Sequence, residues 1–159
     1  VSAATASVQP LGIARRIVSP FLFGVNFGVA GTPFTANRWG GNAVTRYAWD
    51  LDVQNRASDW YFENRANEVK NASALPFGSS SDAFIEYTLR AGALPIITLP
   101  TIGFAPLDRQ TRCGFSVRKY GAQKQTDPND ADCGNGIANK SSAAIRNNDP
   151  ADTSRRVGP

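Results

Sequence analysis

The 159 residues contain no histidine and no methionine, two cysteines, and only three glutamates, Glu63, Glu68 and Glu86. Each shortage excludes a class of chemistry. Without histidine there is no Ser-His-Asp or Cys-His nucleophile and no histidine-ligated zinc. The glycine pair Gly40-Gly41 lacks the Lys-Ser/Thr that completes a phosphate loop. No stretch approaches the ~20 apolar residues of a membrane helix, so no membrane partner is expected. Val1 to Pro10 has neither the basic start nor the apolar centre of a signal peptide. The net charge is +4, but the basic residues are scattered among acids and amides. A basic stripe interleaved with aromatics is missing, and no nucleic acid is expected as a partner.

Cys113 and Cys133 lie in a glycine- and aspartate-rich segment. They are too few to build a zinc site and are read as a disulfide. Closing a loop of about 20 residues is worth roughly 3 kcal/mol. A disulfide implies an oxidising compartment, hence a secreted or periplasmic protein. Asp127, Asp130 and Asp132, with Asn129 and Asn135, have the composition of a calcium loop, but their spacing fits no EF-hand. No metal or other cofactor is expected.

What the chain does have is concentrated in two stretches. Asn37-Arg38-Trp39-Gly40-Gly41-Asn42-Ala43-Val44-Thr45-Arg46-Tyr47 and Ser58-Asp59-Trp60-Tyr61-Phe62-Glu63-Asn64 gather aromatic rings, amides and guanidinium groups around paired glycines. A pyranose presents an apolar face of C–H bonds and a rim of hydroxyls, so its site needs flat rings and fixed polar groups. Asn42 donates and accepts at once and follows two glycines that permit close approach; the alternative is a turn asparagine bonding its own backbone. Trp60 and Tyr61 offer stacking surfaces, or else Trp60 and Phe62 anchor their loop. Arg38 suits bidentate pairing with a carboxylate, in a site or with Asp50 or Asp52. Arg46 has the weaker claim.

A content of 42% hydrophobic residues suffices for one domain with a core. Val1 to Gln9 is a loose lead-in. Phe21 to Phe27 reads as a first strand ending near Asn26, and Phe34 to Trp39 as a second. Ala48 to Phe77 has no sustained period and reads as a long excursion of the functional kind. Ser79 to Asp82 supplies N-cap chemistry for a helix from Ser80 to Ala91. Leu94 to Pro100 is an unbroken apolar run of the type buried on both faces of a parallel sheet. Ser141 to Arg146 is a candidate short helix. The order strand, helix, strand points to the α/β class.

Arg38-Trp39-Gly40-Gly41-Asn42, Thr45-Arg46-Tyr47, Trp49-Asp50 and Ser58 to Asn64 resemble, in order and spacing, the N-terminal part of glycoside hydrolase family 44, which contains endoglucanases and xyloglucanases. Phe23 to Asn26, Pro95 to Ile102, Cys113 to Val117, Lys119-Tyr120-Gly121, Asp132 to Gly136 and Asn148 to Pro159 continue the likeness along nearly the whole chain.

The resemblance implies a (β/α)₈ barrel, of which this chain holds about three strands, since a full barrel takes ~250 residues. Together with the start at Val1 and the ending on Arg155-Arg156-Val157-Gly158-Pro159, this marks the chain as a fragment of a longer polypeptide. Its partners would be a β-glucan polysaccharide and the remainder of its own catalytic domain. The family places its acid/base in an Asn-Glu-Pro motif and its nucleophile in a later glutamate; neither motif occurs here. Glu86 falls on the predicted helix and Glu63 and Glu68 on the excursion, so no catalytic residue is assigned in this chain. Asn42, Trp60, Arg38 and Tyr61 would bind substrate, and Trp39 would be core. The expected function is part of a retaining endo-β-1,4-glucanase, with a non-catalytic carbohydrate-binding or structural fragment as the alternative.

Overall fold

The structure is a computed structural model that describes residues 18–158; the lead-in expected over 1–9 lies outside them. Strands β1 (Gly24–Asn26), β2 (Ala36–Trp39) and β5 (Leu94–Ile97) form a parallel sheet with β2 in the middle, in the register Asn26↔Arg38 and Trp39↔Ile97. β1 is shorter than the apolar run predicts. Pro20 fixes φ, Ser19 Oγ accepts from the backbone N–H of Phe21 at 3.3 Å, and Pro20–Phe23 closes into a 3₁₀ turn before the strand starts.

Helix α1 (Ser80–Arg90) links β2 to β5 and packs against both. Its start is reciprocal: Ser79 Oγ accepts from the N–H of Asp82 at 3.3 Å, while the Asp82 carboxylate accepts from that of Gly78 at 2.9 Å. Gly92, at φ +74°, takes the chain out of the helix. Phe84 and Trp39 meet at 5.2 Å between ring centroids, with Phe27 and Tyr47 also against the indole, so Trp39 is a packing residue. Asn37 is fully buried on β2; it accepts from Gly28 N–H at 2.8 Å and donates to Thr88 Oγ1 at 3.0 Å, which ties sheet, turn and helix together.

The expectation that Leu94 to Pro100 is buried on both faces is not met. Leu94 and Ile96 are 51% and 52% exposed. Helix α1 covers one side of the sheet, and the described residues leave these two side chains half exposed.

The excursion carries structure that its sequence hides. β3 (Val53–Asn55) and β4 (Glu63–Ala66) form an antiparallel hairpin, extended by β7 (Arg112–Cys113) with Glu63 opposite Cys113. The inward positions Asn55, Glu63 and Asn64 are buried polar groups, and only Val53 shows the hydrophobic signal of a strand. β6 (Phe104–Pro106) pairs antiparallel with β8 (Ser154–Arg156). The small core beside the hairpin is Ala48, Val53 and Ala105, flanked by Leu51, Ala66 and Val157. Cys113 and Cys133 form a disulfide with their Cα atoms 4.8 Å apart, next to the one-turn helix α2 (Val117–Tyr120).

Ser141 to Arg146 is not helical. Ala144 bridges Ile137, Ala138 N–H donates to Ala143 at 2.9 Å, and Ile145 N–H donates to Gly136 at 2.8 Å. Six residues make too short a helix to outweigh those cross-strand bonds.

Candidate functional site

The two glycines after β2 have different tasks. Gly41 sits at φ 95° and ψ −178°, a region essentially reserved for glycine. Gly40 is closed in by the chain itself: a Cβ there would lie 2.5 Å from the Arg38 guanidinium carbon and 2.8 Å from Asn26 Oδ1. The close approach foreseen for a ligand is thus occupied at Gly40 by the exposed Arg38 side chain. Asp50 pairs instead with Arg155, at 2.5 and 2.6 Å, and Asp52 with Tyr47, Asn67 and Ser80. Among the described residues, Arg38 makes no ion pair.

Gly41 turns the chain into a 3₁₀ turn, Asn42–Val44, which touches a second one, Ala57–Trp60, in the β3–β4 connection. Asn42 Nδ2 donates to the carboxylate of Asp59 between the two turns rather than to its own backbone. Both side chains are exposed. Trp60 follows Asp59, and Tyr61, in the left-handed region at φ 47°, stands edge-on to it at 5.6 Å. Asn42, Asp59, Trp60 and Tyr61 therefore share one surface at the C-terminal end of β2. It combines an amide, a carboxylate, an indole and a phenol, the set that suits a sugar's hydroxyl rim and C–H face. Arg38 sits on the other side of Gly40, toward β1. Sequence reasoning passed over Asp59, although it lies inside the motif that singled out Trp60.

Behind Trp60 is a buried acid pair, Glu63 and Asp127, that no local sequence pattern announces. Trp60 Nε1 donates to Asp127 Oδ2 at 3.1 Å, Arg65 Nη2 donates to the same oxygen at 3.2 Å, and Arg65 Nε donates to Glu63 Oε2 at 2.8 Å. Burial, reinforced by the hydrogen bond with Asp127, pushes Glu63 up to about 7 against the opposing pull of Arg65. Asp127 is held below its ordinary range, first by the backbone N–H of Asn129 and then by the Glu63 proton. Glu63 Oε1 is buried and meets no hydrogen-bond donor among the described residues. A raised acid beside an ionised one is the pairing a glycosidase employs. Glu63, however, is 1% exposed, so no substrate reaches it, and the pair acts as a brace under the hairpin.

The aspartates of the loop are turned to protein donors: Asp127 as described, and Asp132 to Ser116 and Arg118. Among the described residues the one metal-like grouping is Cys113, Asp130 and Cys133, whose sulfurs are tied in the disulfide. Arg46 lies apart from the Asn42 surface, at a cavity of about 290 Å³ lined also by Asn55, Phe62, Phe104, Phe115 and Asn148.

A sequence profile of glycoside hydrolase family 44 matches residues 53–159. A bifunctional glucanase-xylanase from a metagenome library is 34% identical, with a TM-score of 0.81 over 91% of this chain and 28% of that one. A family 44 xyloglucanase from Paenibacillus polymyxa is 28% identical, with a TM-score of 0.52 over 61% of this chain and 20% of that one. The beta-mannanase/endoglucanase A of Caldicellulosiruptor saccharolyticus is 28% identical over 99 residues, 59% of this chain and 7% of that protein. The chain spans less than a third of the length of each.

Proposed function

The chain belongs to glycoside hydrolase family 44, and from that premise we propose that it forms the N-terminal part of the catalytic domain of a retaining endo-β-1,4-glucanase acting on cellulose or xyloglucan. β1, β2 and β5 are on this reading the first three strands of a (β/α)₈ barrel, completed by the remainder of the catalytic domain. Three parallel strands with a crossover helix between β2 and β5 support it. Barrel enzymes build their sites at the C-terminal ends of strands and in the loops that follow.

The observation that carries the proposal is the surface at the end of β2, where Asn42 is locked to Asp59 beside the Trp60–Tyr61 pair. Trp60 is the platform for a glucose ring, Asn42 and Tyr61 bond its hydroxyls, and Arg38 orients a group on the β1 side. The glutamates that cut the chain belong to the remainder of the domain. Glu63 is sealed, and Glu68 and Glu86 are exposed away from this surface, on the excursion and on α1. A disulfide fits a secreted or periplasmic protein, which completes the reading.

Calorimetric titration of the 159-residue chain with cellohexaose tests it. Binding weakened at least tenfold by Trp60→Ala, and also weakened by Asn42→Ala, is the expected result. Equal binding by all three overturns the site assignment. Turnover of carboxymethylcellulose by the pure chain, lost on Glu63→Gln, would overturn the placing of the catalytic acids elsewhere.

A further inference from the structure

Trp60 is fixed from two directions, and only one of them involves its neighbour in sequence. Tyr61 stands edge-on to the indole at an interplanar angle of 82°. On the other side the indole N–H reaches Asp127, 67 residues further along the chain. We propose that Asp127 is a positioning residue for the sugar platform: its carboxylate sets the rotation of the Trp60 ring before any glucan arrives.

The geometry makes Asp127 a fixed acceptor. Its Oδ1 accepts from the backbone N–H and the side-chain amide of Asn129, at 2.9 and 3.3 Å. Its Oδ2 accepts from Trp60 and Arg65, and the carboxylate also bonds the Glu63 carboxyl. Its own N–H donates to the carbonyl of Cys133 at 2.9 Å, and Cys133 is joined to Cys113, which sits opposite Glu63 on the neighbouring strand. The platform, the acid and the disulfide therefore close a ring of contacts running from the β3–β4 connection through the loop and back to β4. Every side chain in that ring is held by at least one partner, so the indole cannot turn without breaking a bond to a buried, ionised group. A platform ordered in advance spares the ligand the cost of ordering it.

This inference rests on Trp60 being the platform, and the test separates the two ideas. In the ¹⁵N-labelled 159-residue chain, the three tryptophans give three indole N–H signals, and Trp60→Phe identifies the one that belongs to Trp60. Asp127→Asn is expected to move that signal upfield, as the donor exchanges a carboxylate for an amide. It should also weaken cellohexaose binding roughly 3–10-fold, the factor expected for ordering one side chain on binding. Trp60→Phe keeps a ring but has no N–H; it should lose a similar factor, and Asp127→Asn should then add nothing. An unmoved indole signal, or an equal loss from Asp127→Asn in the Trp60→Phe background, overturns the positioning role. Binding indifferent to Trp60→Ala overturns the platform itself, whatever the indole signal does.

Discussion

Tyr47 donates its phenolic hydrogen to Asp52 Oδ1 at 2.5 Å, with both side chains buried beneath the start of the excursion. Asp52 takes further hydrogen bonds from Asn67 and Ser80, each at 3.0 Å, so one carboxylate joins the turn after β2, the end of β4 and the start of α1. Burial, and then this bond, push the phenol up to about 12. Tyr47→Phe retains the ring against Trp39 and removes one donor to a buried charge. A loss of about 1–3 kcal/mol is expected, read from urea unfolding of the two chains.

The raised Glu63 carboxyl predicts a pH dependence with a definite sign. A carboxyl raised to about 7 in the fold binds a proton that the unfolded chain releases near its ordinary value of 4.5. Folded protein therefore holds the extra proton between those values, and stability falls as pH rises through the window. The contribution is fully present below the unfolded value and lost above about 7. A tenfold change in a protonation equilibrium is about 1.4 kcal/mol, so the fall is of the order of 1–3 kcal/mol. Urea midpoints measured from pH 4.5 to 8 should show it, and Glu63→Gln should flatten the profile there.

The bridge between Cys113 and Cys133, 20 residues apart, restrains the unfolded chain. Replacing both by alanine should cost about 3 kcal/mol. A lower urea midpoint than that of the parent, with the parent falling to the same value under dithiothreitol, is the expected observation.

The paired glycines separate by substitution. Gly41→Ala forces a side chain into backbone that only glycine adopts readily and should cost about 1–3 kcal/mol. Gly40→Ala meets the movable end of Arg38 and should cost less, but it displaces the guanidinium from its place beside Asn26. Thermal melts of the two variants should rank them in that order.

The parallel sheet and α1 were legible because their residues announce themselves: Ser79 and Asp82 cap, Gly92 stops, and Leu94 to Ile97 is a plain apolar run. The β3–β4 hairpin was not, since its buried positions Asn55, Glu63 and Asn64 are polar and are satisfied by polar partners: Asn55 Nδ2 donates to Asn64 Oδ1 at 3.0 Å, and Glu63 accepts from Arg65. Hydrophobic periodicity is blind to a core of that kind. Asn42, Trp60 and Tyr61 were visible as residue types suited to sugar. That Asp59 joins them and Asp127 lies behind them depends on contacts across 17 and 67 residues, which no local pattern reports. The failed helix at Ser141 to Arg146 has the same origin, a bridge to Ile137 outside its own window.

The pairing of β6 with β8 places Phe104 opposite Arg156. A ribosome delivers the first of these strands long before the second, so during synthesis β6 emerges with its edge bare while β1, β2 and β5 can already pair with one another. Pairing over such a span is entropically late. The core at Ala48, Val53 and Ala105 is therefore expected to close last, with the arrival of Val157, and nascent chains stopped short of β8 should be the ones that proteases cut between α1 and β7.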